Sequence, residues 1–145
     1  MLETFFNFVV GLIGGIAVGL QSPIAGTMSQ RVGGAASSFI VHVSGALFSG
    51  LLLLLRGGEN IRAWRSLPWY MLVSGAFGVI LYLTLTHTLP RVGTTTAATL
   101  LIVGQLLIGV LTDHFGWFGL PLRPLDLTRG VALLLLLAGA WLLLR

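Results

Sequence analysis

Polar residues interrupt this chain at widely spaced intervals, and the stretches between them are almost wholly apolar. A helix needs about 20 apolar residues to cross a bilayer core of roughly 30 Å. Five stretches approach that length: Phe5–Gly26, Gly34–Leu55, Pro68–His87, Gly93–Thr112 and Gly130–Leu144. The pattern predicts an all-α membrane protein, with a single domain over 1–145 built from five transmembrane helices. The last stretch spans only about 22 Å as a helix, so it is expected to borrow residues from Leu125–Arg129. The links are brief: Met28–Gly33, Arg56–Leu67 and Thr88–Val92. Short connections make successive helices antiparallel neighbours. The longest link, Asp113–Arg129, is too aromatic for a free aqueous loop. It is expected to lie along the headgroups, held by Phe115, Trp117 and Phe118.

Small residues recur at helical spacing: Gly11, Gly15 and Gly19 in the first span, Ser74 and Gly78 in the third. Such faces let helix backbones approach closely in lipid. Pro23 withholds a backbone hydrogen bond and is expected to kink the first helix. No internal repeat, low-complexity tract or domain boundary is evident. The N-terminal run carries Glu3 and is longer than a signal-peptide core, so it reads as a retained span.

Composition agrees with lipid as the solvent. Of 145 residues, 56% are hydrophobic and 8% charged, with a mean hydropathy of +1.00. A soluble domain carries about a quarter charged residues. The absence of cysteine removes disulfides and thiolate metal sites. All eight basic residues are arginines, standing singly between apolar runs. That is a membrane-boundary pattern and not the patch or stripe that binds nucleic acid. Five spans would gather Arg56, Arg62, Arg65, Arg123 and Arg129 on the side of the N-terminus, against Arg31, Arg91 and Arg145. The excess places the N-terminus in the cytoplasm by a slight margin.

No Asp, Glu, Lys or Arg lies inside the five stretches. Paired carboxylates, nucleophile–base pairs, phosphate loops and metal-ligand clusters are all missing, which points away from an enzyme and requires no cofactor. What remains is neutral and polar. His42 falls near mid-depth of the second span with Ser44 after it, and an ionisable residue at that depth is a functional candidate. It is also the titratable group, other than tyrosine, that lies well inside a span. Gln105 lies deep in the fourth. Gln21 precedes Ser22-Pro23, and helix breaks at membrane depth are where transporters often place their sites. Tyr82 adds a hydroxyl to the third. The candidate substrate-binding set is therefore Gln105, His42, Gln21, Ser44 and Tyr82; the competing reading of each is interhelical hydrogen bonding alone.

Several sequence marks occur together: Pro90-Arg91-Val92-Gly93, Gly104-Gln105, Asp113-His114-Phe115-Gly116, Arg123-Pro124-Leu125 and Arg129-Gly130, with Gln21, Pro23 and Pro68-Trp69 upstream. In these the chain resembles the YdcZ-like inner-membrane exporters of the drug/metabolite transporter superfamily, over essentially its whole length. Ala25 stands where family members often have Asn, and His42 where they often have an aromatic. The membrane-embedded Glu that small multidrug resistance proteins use for proton exchange has no counterpart here. The resemblance implies a half-transporter of the bacterial inner membrane. It would pair with a second copy in inverted orientation, or with a paralogous partner chain, and move a small organic metabolite or drug-like solute. The alternative is a non-transporting membrane subunit that stabilises or regulates another membrane protein.

Overall fold

The computed structural model describes residues 2–143, and every regular element among them is helical. The helices are α1 (Leu2–Val32), α2 (Gly34–Leu55), α3 (Trp69–Leu72), α4 (Gly75–Val92), α5 (Thr94–Phe115) and α6 (Leu127–Leu143). Short 3₁₀ turns occupy Ile61–Ser66 and Trp117–Gly119. The chain divides into two compact units, Met1–Arg91 and Val92–Arg145. Within the first, α1 packs on α2; within the second, α5 packs on α6.

Three helices, α1, α2 and α5, are long and apolar enough to cross a membrane. At 1.5 Å per residue the 31 residues of α1 reach about 46 Å, well beyond the hydrocarbon core. α6 is a shorter apolar helix of 17 residues. It starts at Leu127, so it takes in three residues upstream of Gly130; Leu144, the expected end of that span, lies outside the described residues, as does Arg145.

Two expected links are helical. α1 runs through Met28–Val32 and α4 through Thr88–Val92, with Pro23 and Pro90 inside them. Polar residues end an apolar run without ending a helix, because Gln, Ser and Arg are all tolerated in helices. The chain leaves the helix at one residue only: Gly33 (φ 88°, ψ 156°) and Gly93 (φ 80°, ψ 166°). That backbone conformation is open to glycine and strained for other residues. Each glycine's carbonyl then accepts the first bond of the next helix, from Ser37 and from Ala97, both at 3.0 Å.

These two junctions are sixty positions apart, and the likeness extends on either side. Both following helices have 22 residues. The buried positions before the first junction, Ser22, Ala25 and Gly26, match Tyr82, Leu85 and Thr86 before the second. The chain therefore contains a repeated helix–glycine–helix unit, contrary to the expectation of no repeat. Arg31-Val32-Gly33 and Arg91-Val92-Gly93 are identical at the two junctions, while most other side chains have diverged, so away from the junctions the repeat survives chiefly in backbone geometry and burial.

The third expected span, from Pro68, is broken. α3 ends at Leu72 and α4 begins at Gly75. Ser74 turns its hydroxyl onto the Met71 carbonyl at 2.7 Å. A Ser-Gly pair is a known cause of such interruptions.

Burial is inverted relative to a soluble protein. Large apolar side chains such as Phe6, Phe39, Phe48 and Leu135 are exposed, while the buried positions include Ser22, Ala25, Ser37, Ser38, Thr86, Ala97 and Ala140. Lipid solvates leucine and phenylalanine, so close packing falls to small and hydroxylated residues. The glycine face of α1 does not take part. A Cβ built at Gly11, Gly14, Gly15 or Gly19 would meet nothing within 4 Å among the described residues.

The Asp113–Arg129 link is a folded clamp in the second unit. Gly116, in the left-handed region (φ 61°, ψ 34°), turns the chain out of α5. The backbone N–H of Arg123 donates to the Asp113 carbonyl at 2.8 Å, and that of Leu125 to His114 Nδ1 at 3.1 Å. Arg129 donates to the Arg123 carbonyl at 3.1 Å and lies 3.6 Å from the Asp113 carboxylate. Asp126 caps α6 by accepting from the Arg129 N–H at 2.7 Å. The motif residues Asp113, His114, Gly116, Arg123 and Arg129 thus hold a loop. Phe115 and Trp117 stack with ring centroids 5.7 Å apart.

Candidate functional site

Within the first unit, α1, α2 and α4 meet around a small polar cluster. Ser22 and Ala25 come from α1, Ser37, Ser38 and His42 from α2, Tyr82 and Thr86 from α4. Three-helix contact at these points follows from side-chain size: serine, alanine and glycine leave room for an imidazole and a phenol.

His42 is held at one nitrogen. Its Nδ1 lies 2.7 Å from the Ser38 carbonyl oxygen, which can only accept. Nδ1 therefore carries the proton, and in the neutral ring Nε2 is left as an acceptor. That nitrogen points at α4, 3.2 Å from where a Cβ on Gly78 would stand. The absence of a side chain at Gly78 gives the imidazole its place. Tyr82 approaches the same ring edge-on, with centroids 6.1 Å apart and planes inclined by 70°. Its hydroxyl reaches toward the Ala25 carbonyl at 3.5 Å, the outer limit of a hydrogen bond.

Most hydroxyls nearby are spent on their own helices. Ser22 donates to Val18 at 2.7 Å, Ser37 to Gly34 at 3.1 Å and Thr86 to Leu83 at 3.2 Å. Such back-bonding leaves the oxygen lone pairs as acceptors, so the cluster offers acceptors more readily than donors.

Of the five candidate residues, His42 and Tyr82 are brought together, the first half-buried and the second buried. Ser44 is exposed and donates back to Val41 at 2.9 Å. Gln21 is exposed on α1, beside buried Ser22. Gln105 is exposed on α5, in the other unit. Ser38 and Gly78, which fix the ring of His42, were not among the candidates. Their signal was present as small residues four positions from the histidine and in the Ser74–Gly78 spacing, both legible as packing alone. Among the described residues no group of three or more His, Cys, Asp or Glu could hold a metal ion.

The arrangement is a small hydrogen-bonding cluster among largely apolar helices, and comparison with known proteins agrees with its setting. The family model described as "Putative inner membrane exporter, YdcZ" matches residues 6–142. The inner membrane protein YdcZ of Escherichia coli (strain K12) is 28% identical over 140 residues, covering 90% of this chain and 91% of that protein. No solved structure matches. A family of exporters implies a transporter and not an enzyme, set in a lipid bilayer and handling a solute. With the match running over nearly its whole length, this chain belongs to the YdcZ inner-membrane exporter family.

Proposed function

We propose that the chain is a five-span half-transporter that pairs with an inverted second copy and exports a small organic solute by alternating access. The observation that carries this reading is the cluster around His42 and Tyr82. It is a set of hydrogen-bonding groups brought together by three helices, two of them long and apolar enough to cross a membrane, in a family of exporters. In this reading α3 and α4 together make the third span, and α6 the fifth. Gln21 joins His42, Ser44 and Tyr82 in binding the solute, and Gln105, in the second unit, is a further proposed solute-binding residue.

Two features support an inverted pair. The helix–glycine–helix repeat joins spans one and two, then three and four, so its copies run through the membrane in the same direction. It cannot supply the inverted half that alternating access most simply uses. A second chain can. The open glycine face of α1 also leaves room for a partner helix to approach closely.

The test begins with a thermal-shift screen of the purified chain, since ligands of the native state raise its stability. A solute found this way should be moved by the chain alone in liposomes. Gln105→Leu should abolish binding and leave a folded dimer. A chain that binds and moves nothing without another protein is a subunit and not a transporter.

A further inference from the structure

A cavity of about 410 Å³ opens between the end of α1, the start of α2 and the last turns of α4. Its wall includes Ser29, Gln30, Gly34, Thr86, His87 and Arg91. The volume lies in the range of metabolite-sized sites. Arg91 is its one charged group, and no carboxylate lines it. The guanidinium donates to the carbonyl of His87, one turn back on the same helix. A guanidinium has five N–H donors, so most remain available. Two described arginines do have carboxylate partners: Arg56 lies 3.3 Å from Glu59, and Arg129 lies 3.6 Å from Asp113. Arg31 stands sixty positions before Arg91, at the matching place in the repeat, yet does not line the cavity. A basic residue serving only as a membrane-boundary anchor would need no cavity.

We propose that this cavity binds an oxyanion, a phosphate or carboxylate group, on Arg91 with Ser29, Gln30 and the His87 ring as further donors. A planar guanidinium matches two oxygens of such a group at once. Thr86 contributes no donor, because its hydroxyl is already given to Leu83. Gly34 keeps the space open: a Cβ there would sit 3.5 Å from Leu83 and 3.7 Å from the Ser29 hydroxyl. The oxyanion can be part of a soluble solute or the phosphate of a lipid headgroup. As a substrate subsite the cavity rests on the transporter reading; as a binding site it does not.

Binding to delipidated full-length chain in dodecyl maltoside tests the proposal without any transport step, so its failure is separable from failure of the transporter reading. The probes are radiolabelled inorganic phosphate, read by equilibrium dialysis, and phosphatidylglycerol in mixed micelles. Saturable binding of phosphate assigns a soluble ligand, and binding of the lipid alone assigns a headgroup. Arg91→Gln should weaken the binding about tenfold or more, the scale of a lost charge-assisted hydrogen bond. Arg31→Gln removes the same charge and should leave binding unchanged. Should Arg91→Gln fail to fold, Arg91→Lys keeps the charge, loses the two-pronged geometry and should bind several-fold more weakly. Absence of saturable binding for both probes, wild-type affinity in the Arg91 variants, or an equal loss in Arg31→Gln would overturn the site.

Discussion

At the residue scale, the position of His42 depends on a side chain that is missing elsewhere. Gly78 leaves space 3.2 Å from Nε2, and the ring cannot swing away freely because Nδ1 is tied to Ser38 at 2.7 Å. Gly78→Ala has two opposing effects. Alanine favours a helix over glycine by roughly 0.5–1 kcal/mol, while crowding the imidazole off its rotamer costs about 0.5–1.5 kcal/mol. The single variant is therefore close to neutral, and the informative quantity is the coupling. In a His42→Ala background the same substitution should become stabilising. A double-mutant cycle by SDS unfolding should give a coupling of about 0.5–1.5 kcal/mol; a coupling of zero would remove the contact. His42 stood out in the sequence because an ionisable residue is conspicuous inside an apolar span, although the sequence did not separate a functional role from interhelical hydrogen bonding. Ser38 and Gly78 did not stand out, because small residues in an apolar helix carry no mark that separates packing from positioning.

At the element scale, the ends of the helices follow backbone chemistry and not hydropathy. The apolar runs set where lipid begins and ends, so they located the long helices; they could not show that α1 and α4 continue five or so residues further, to Gly33 and Gly93. The break between α3 and α4 was hidden for the opposite reason, since Ser74 and Gly75 sit inside a run that hydropathy reads as unbroken. The loop after α5 shows which of its contacts matter. Asp126→Ala removes the cap of α6 and should lower stability by about 1 kcal/mol. Arg56→Gln breaks an ion pair whose side chains are 66% and 56% exposed, and solvent screening leaves it a few tenths of a kcal/mol at most. Thermal unfolding of the two variants in one detergent checks the order. Equal effects would mean that the Asp126 bond does not anchor α6.

At the scale of the whole molecule, the first unit leaves a face uncovered. Gly11, Gly14, Gly15 and Gly19 meet nothing within 4 Å among the described residues, although close-packed glycines are how helices associate in lipid. Gly15→Leu places a large side chain where the chain itself has room. It should leave the monomer folded while converting the proposed dimer to monomer in cross-linking and light-scattering measurements. A dimer that survives Gly15→Leu uses another face. The sequence showed this stripe but suggested contacts within the chain, because spacing alone does not say which helix lies opposite.

The proposed mechanism requires two copies crossing the membrane in opposite directions. In the proposed five-span topology the arginines would divide five against three between the two sides, a weak instruction for orientation and suited to a chain that inserts both ways. The chain has no cysteine, so a single one can be placed at Asn60, in the exposed turn between α2 and α3. An impermeant thiol reagent applied to intact cells should then modify about half of the copies, with the remainder labelled only after the membrane is opened. Labelling of all copies, or of none, would show a single orientation and contradict the inverted homodimer.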